Sequence, residues 1–136
     1  NDFAGVDKKE YYPSPTAVSE IPGNPTILPI PKGERPASFP ADLEFYAAKE
    51  IVQAYHAERS SGAVYTETAV YIANQTIRNI ITYYDKWLKD KGYTTELQPP
   101  QNSFAVHAKK DDLTINISAI NHPDGTLVNI SVLSPK

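Results

Sequence analysis

Three histidines, His56, His107 and His122, have the widest chemical reach in this chain. An imidazole with an ordinary pKa near ~6.5 can take up a proton close to neutrality or ligate a metal. None of the three stands in a ligand-spaced pair such as H-E-x-x-H. His107 falls on the expected wet face of a strand. His122 shares a turn with Asp124, and that pair offers two ligands where a zinc site needs roughly three or four. Asp111 and Asp112 are adjacent carboxylates on a turn, a geometry that sends both into solvent rather than toward one substrate. Ser60-Ser61-Gly62 lacks the G-x-S-x-G pattern and has no placed base, so its hydroxyls are not activated. The glycines are isolated and form no phosphate-cradling loop. These residues predict no catalytic group, no metal and no cofactor, and hence not an enzyme.

The remaining chemistry is that of contact. Nine tyrosines and one tryptophan invite a binding-surface reading, since aromatic side chains anchor interfaces. Tyr84 and Trp87 fall on the apolar stripe of a helix, and Tyr65 and Tyr71 share one face of a strand. Tyr11 and Tyr12 have no evident place in a core. Together with Ile27, Leu28 and Ile30 of the TILPIP stretch they are the expected partner-contact residues. Asn74-Gln75-Thr76, Asn116-Ile117-Ser118 and Asn129-Ile130-Ser131 match the glycosylation acceptor pattern, but they sit at a helix cap and mid-strand, where these residue types belong anyway.

Composition narrows the partner. The 136 residues are 40% hydrophobic and 21% charged, which fits a single soluble domain with or without a tail. A net charge of -3, with no basic run longer than Lys8-Lys9 or Lys109-Lys110, argues against nucleic acid, whose phosphates need clustered cations. No apolar run approaches the ~20 residues of a membrane span. With no cysteine there is no disulfide, thiolate metal site or thiol nucleophile. The absence of both Cys and Met in a chain that begins at Asn1 leads us to expect a processed, exported protein, periplasmic or extracellular.

The elements that position these residues follow from periodicity. Residues 1–40 hold eight of the twelve prolines and are expected to form an extended arm or tether, bending at Pro22-Gly23-Asn24; residues 41–136 are expected to form one α+β domain. Residues 41–59 are ambiguous. Leu43, Ala47, Ile51, Ala54 and Tyr55 make a helical stripe, but a strand from about Ala48, turning through Ser60-Ser61-Gly62, is the competing assignment. Residues 63–73 are rich in Val, Tyr, Thr and Ile and predict a central strand covered on both sides. A helix over about 75–91 follows, with Asn74 as N-cap, Ile77, Ile80, Ile81, Tyr84, Trp87 and Leu88 on its apolar face, and Gly92 at the C-terminal stop. Arg78, Asp85, Lys89 and Asp90 fall on the other side. Beyond it, YTTEL and the alternating runs at Phe104–Lys109, Leu113–Ser118 and Leu127–Val132 read as strands separated by Pro99–Asn102, Lys110–Asp112 and His122–Gly125.

The layout resembles a loose group of small bacterial exported modules, many of them in lipoproteins or membrane-anchored proteins. The likeness is carried by Tyr65-Thr66-Glu67-Thr68 on a strand, Tyr83-Tyr84-Asp85-Lys86-Trp87-Leu88 ending in Gly92-Tyr93 on a helix, and the preceding Pro29-Ile30-Pro31-Lys32-Gly33. It spans residues 29 to 133 and rests on cap, core and turn positions. The resemblance implies two strands, one helix and three strands, and so favours a strand at 48–58. The Cys that would carry a lipid anchor in such a protein is missing. The expected fold is therefore an antiparallel sheet of four to five strands in the order β-β-α-β-β-β with one helix on a face. A helix at 41–59 would give α-β-α-β-β-β instead. The expected role is a non-catalytic exported module that acts by protein–protein contact or within a larger extracytoplasmic assembly. The alternative is a small-ligand domain with a pocket between helix and sheet.

Overall fold

The computed structural model describes residues 10–12, 26–58, 64–98 and 103–135. Its elements are β1 (Thr26–Pro29), β2 (Ala48–Glu58), β3 (Val64–Ala73), α1 (Ile77–Asp90), β4 (Thr94–Gln98), β5 (Ser103–Lys110), β6 (Leu113–His122) and β7 (Gly125–Pro135). All strands join one sheet in the order β1-β2-β3-β7-β6-β5-β4, with every neighbouring pair antiparallel. β3 and β4 therefore run parallel at a distance of three strands. Such a connection needs a crossover element, and α1 is that element.

The expectation of four to five strands is corrected to seven. β1 went unread because Pro29 and its proline-rich flanks mask a four-residue strand, and a strand carrying proline is confined to a sheet edge, where β1 lies. YTTEL is β4, a full member of the sheet at its other edge. The helical alternative for 41–59 gives way to β2 from Ala48 onward. Two register shifts, between Ala48 and Glu50 and between Ile51 and Gln53, break the period of two that would have marked the strand. The Ser60–Gly62 loop, the bend at Pro22–Asn24, the Pro99–Asn102 turn and the side chains of Tyr65 and Phe104 lie outside the described residues.

Helix α1 starts two residues later than Asn74 implied. Thr76 is the N-cap, and its hydroxyl accepts from the Asn79 N–H at 3.1 Å. At the other end Tyr93 N–H donates to Leu88 O and Gly92 N–H to Lys89 O, both at 3.0 Å, while Tyr93 tilts against Trp87. That is the paired-bond stop which glycine makes possible, and Gly92 adopts φ 93 there.

One face of the sheet is covered in two parts. Ile80, Ile81, Tyr84 and Leu88 of α1 lie against Val106, Ala108, Ile115, Ile117 and Ala119, all essentially solvent-free, with the helix crossing β4, β5 and β6. Burying each large side chain contributes ~1.5–3 kcal/mol, so this pairing dominates the stability of the C-terminal half. Residues 30–46 form a strap over β2 and β3, inserting Ile30, Phe39 and Leu43 beside Ala54, Ala69 and Tyr71. Residues 26–40, expected within the proline-rich arm, thus supply an edge strand and part of the core. Tyrosine hydroxyls fasten the strap. Tyr84 donates to Glu44 O at 2.6 Å and accepts from Tyr46 N–H at 2.9 Å; Tyr71 donates to Tyr46 O at 3.0 Å and lies 2.8 Å from the Tyr84 hydroxyl. Burial pushes the Tyr84 phenol up to about 12 and raises Tyr71 further, so both stay neutral hydrogen-bonding groups. Tyr46 stacks on Tyr83 with centroids 4.1 Å apart, and Lys91 pairs with Asp42.

Candidate functional site: the open sheet face

Side chains alternate along strands, so the residues between the core positions form the opposite face. Among the described residues no helix or strand lies over it. The antiparallel register aligns these residues into rows that cross the sheet. One row runs Tyr55, Thr68, Ser131, Asn116, His107, Glu96, a partner from each successive strand. The next runs Gln53, Val70, Asn129, Ser118, Ala105. The third sets Glu50, Ile72, Leu127 and Ile120 side by side.

The first two rows are linked by hydrogen bonds. Ser131 donates to Asn129 Oδ1 at 3.2 Å, which leaves the Thr68 hydroxyl to donate to Ser131 at 3.0 Å. His107 Nδ1 meets Asn116 Oδ1 at 2.5 Å; an amide oxygen only accepts, so this nitrogen donates. Ala105, His107, Asn116, Ser118 and Asn129 line a shallow depression of about 240 Å³. Charge is confined to the margins, at Glu50, Glu96 and Lys109. The face is graded: Thr68, Val70 and Ile72 of β3 are buried, whereas Ile120 is 43% exposed. Neutral donors and acceptors beside an apolar strip can hold a surface of mixed polarity.

A second cluster lies beneath the strap. His56 Nδ1 is 3.0 Å from Glu67 Oε2 and its Nε2 is 2.8 Å from Glu58 Oε2, while the Ser38 N–H donates to Glu67 Oε1 at 2.6 Å. Both ring nitrogens face carboxylate oxygens, so the geometry favours the imidazolium. Burial opposes that charge, but the hydrogen bonds to Glu58 and Glu67 outweigh it and raise the His56 pKa above its usual 6.5. A group whose folded pKa is raised stabilises the fold fully below its unfolded pKa and loses that contribution as pH rises through the folded value. Asp42 is displaced downward and Lys86, Lys91, Tyr71, Tyr83, Tyr84 and Tyr93 upward, so the neutral window belongs to His56 among the displaced groups. The melting midpoint should therefore fall between about pH 6 and pH 9, and His56→Gln should flatten the fall. An unchanged slope in that variant, followed by circular dichroism, would assign the pH dependence elsewhere.

The five expected contact residues do not form one surface. Tyr12 and Ile30 are buried; Tyr12 N–H donates to Ile30 O at 3.1 Å, and its hydroxyl accepts from Gly33 N–H at 3.1 Å. Tyr11 and Leu28 are about half exposed, at 47% and 50%, and Ile27 is half-buried. Sequence reasoning missed the cross-strand rows because each row takes a single residue from each strand. The signal that existed was the recurrence of Asn and Ser at alternate positions of β6 and β7, at Asn116-Ile117-Ser118 and Asn129-Ile130-Ser131. His56 and Glu67 were legible only as a charged residue inside an apolar strand with a histidine on its neighbour. Among the described residues no three His, Cys, Asp or Glu side chains converge to hold a metal, and no helix is long and apolar enough to cross a membrane.

Neither a scan of protein-family models nor searches of curated proteins and of solved structures find a match to this chain.

Proposed function

We propose that the domain is a non-catalytic binding module that acts by protein–protein contact, as a component of an extracytoplasmic assembly. The observation that supports this reading best is the side of the sheet over which no described helix or strand lies: a neutral face of amide and hydroxyl groups bordered by Ile120, Leu127 and Leu133. Uncharged polar groups beside exposed apolar side chains are the composition of an interface rim meeting its core. The space between helix and sheet, where a small-ligand pocket was the alternative, is filled by side chains with almost no exposure, which favours the surface over the interior. The extracytoplasmic placement is supported by the cysteine-free composition alone.

A photo-crosslinking residue placed at Ser118, in the middle of the open face, tests the reading. In the source cell it should give discrete protein adducts, recovered in the extracytoplasmic fraction. The same residue at Lys86, on the exposed side of α1, should give none. Equal labelling at both positions, or none at Ser118, rejects the open face as a contact surface.

A further inference from the structure

At the sheet's far edge β4 pairs only with β5 among the described residues, leaving the other side of Thr94–Gln98 without a strand partner. An unpaired edge offers backbone donors and acceptors to an incoming extended chain. Leu97 and Thr95 pair with Val106 and Ala108, which lie under α1, so their side chains stand on the helix side of the sheet. There Leu97, 45% exposed, forms a groove of about 230 Å³ with Arg78, Ile81, Thr82 and Asp85 of α1. The groove has a cation toward one end, an apolar middle and a carboxylate toward the other. That carboxylate is incompletely used. Asp85 Oδ2 pairs with Lys89 at 3.0 Å, while Oδ1 is buried with no hydrogen-bond partner among the described residues. A buried unpaired carboxylate oxygen costs free energy until a donor reaches it.

We propose that this groove takes an extended peptide segment of a partner protein, added to β4 as an eighth strand of the sheet. Alternate residues of an added strand face the same side, so its helix-side positions run acidic, apolar, basic: a carboxylate at Arg78, an aliphatic side chain over Ile81 and Leu97, and a lysine or arginine at Asp85. This rests on the protein-binding reading and deepens it by naming the edge and the segment.

The probe is a fluorescein-labelled heptapeptide with glutamate, valine and lysine at its second, fourth and sixth positions and threonine elsewhere. Fluorescence anisotropy with the full chain should show saturable binding below ~1 mM, the range expected of a short unconstrained strand. Asp85→Asn, whose fold is checked by circular dichroism, should weaken it about tenfold, as should Arg78→Glu. The same peptide N-methylated at alternate residues should not bind, because strand addition requires its amide donors. No saturation, or binding indifferent to Asp85→Asn or to N-methylation, overturns the proposal. A concentration-dependent dimer that both substitutions dissolve would give the edge to a second copy and overturn it too. The Ser118 crosslinking result is independent of this groove, so adducts there with no peptide binding would sink the groove and spare the module.

Discussion

Gly125→Ala should cost about 3 kcal/mol and lower the melting midpoint by roughly 10 °C. Gly125 follows the Pro123-Asp124 turn and opens β7 at φ 144, a backbone conformation that a Cβ disfavours. Its strand passes so close to the end of β3 that an added Cβ would stand 2.2 Å from the carbonyl oxygen of Ala73. Backbone cannot move aside as a side chain can, so the β3–β7 ladder itself must shift. Gly33→Ala separates the two causes. Gly33 also has positive φ, at 88, but its Cβ would meet nothing within 4 Å. That variant should lose only the conformational part, about 1 kcal/mol. Urea denaturation of both proteins checks the comparison, and equal losses would mean that the approach to Ala73 carries no weight.

Tyr84→Phe should destabilise by a similar amount, about 2–4 kcal/mol, although it removes a single oxygen. That hydroxyl donates to the Glu44 carbonyl and accepts from the Tyr46 N–H, while the Tyr71 hydroxyl, whose own proton goes to Tyr46 O, lies 2.8 Å away. Deleting it orphans buried groups rather than exchanging them for water. Tyr83→Phe on the next position is the control: its hydroxyl reaches Glu44 Oε1 only at 3.4 Å and in the open, so it should change stability by less than ~0.5 kcal/mol. Amide exchange should show the loss concentrated in residues 43–47. Uniform loosening of the whole chain would mean that the hydroxyl does not act by fastening the strap.

The sequence was most readable where local pattern and tertiary demand agree. Phe104–Lys109, Leu113–Ser118 and Leu127–Val132 alternate because one of their faces lies under a helix or strap and the other does not. Helix α1 carried its own stop at Gly92 and its own stripe from Ile77 to Leu88. Its start was displaced because Asn74 and Thr76 are both good caps, and the bond to Asn79 decides between them. The 41–59 segment resisted reading because Ala, Leu and Glu favour a helix while β2 bends through two register shifts. Ala47 takes φ 58 just before that strand, a conformation no propensity scale anticipates for alanine. Of the candidate surface, individual residues were visible and their adjacency was not. Thr68, Ser131, Asn116 and His107 become neighbours only through three ladders. Asp85 was placed on the exposed side by helical spacing, but the neighbouring β4 edge turns that side into a groove wall.

The strand order also fixes when the molecule can become one piece. β7, last in the chain, sits between β3 and β6, and its ladder joins Ala73 to Thr126 and Val64 to Pro135. The helix with β4, β5 and β6 can collapse through contacts close in sequence, and α1 can fasten to the strap through Tyr84 and Tyr83, but no strand ladder joins this half of the sheet to β1–β2–β3 until residues 126–135 have been made. During synthesis the first half must wait with the edge of β3 bare, exposed to any other extended chain nearby. The closing step is a long-range zipper through the middle of the sheet. We therefore expect slow, single-step acquisition of the native state, and an abrupt loss of all of it when the final strand is cut away.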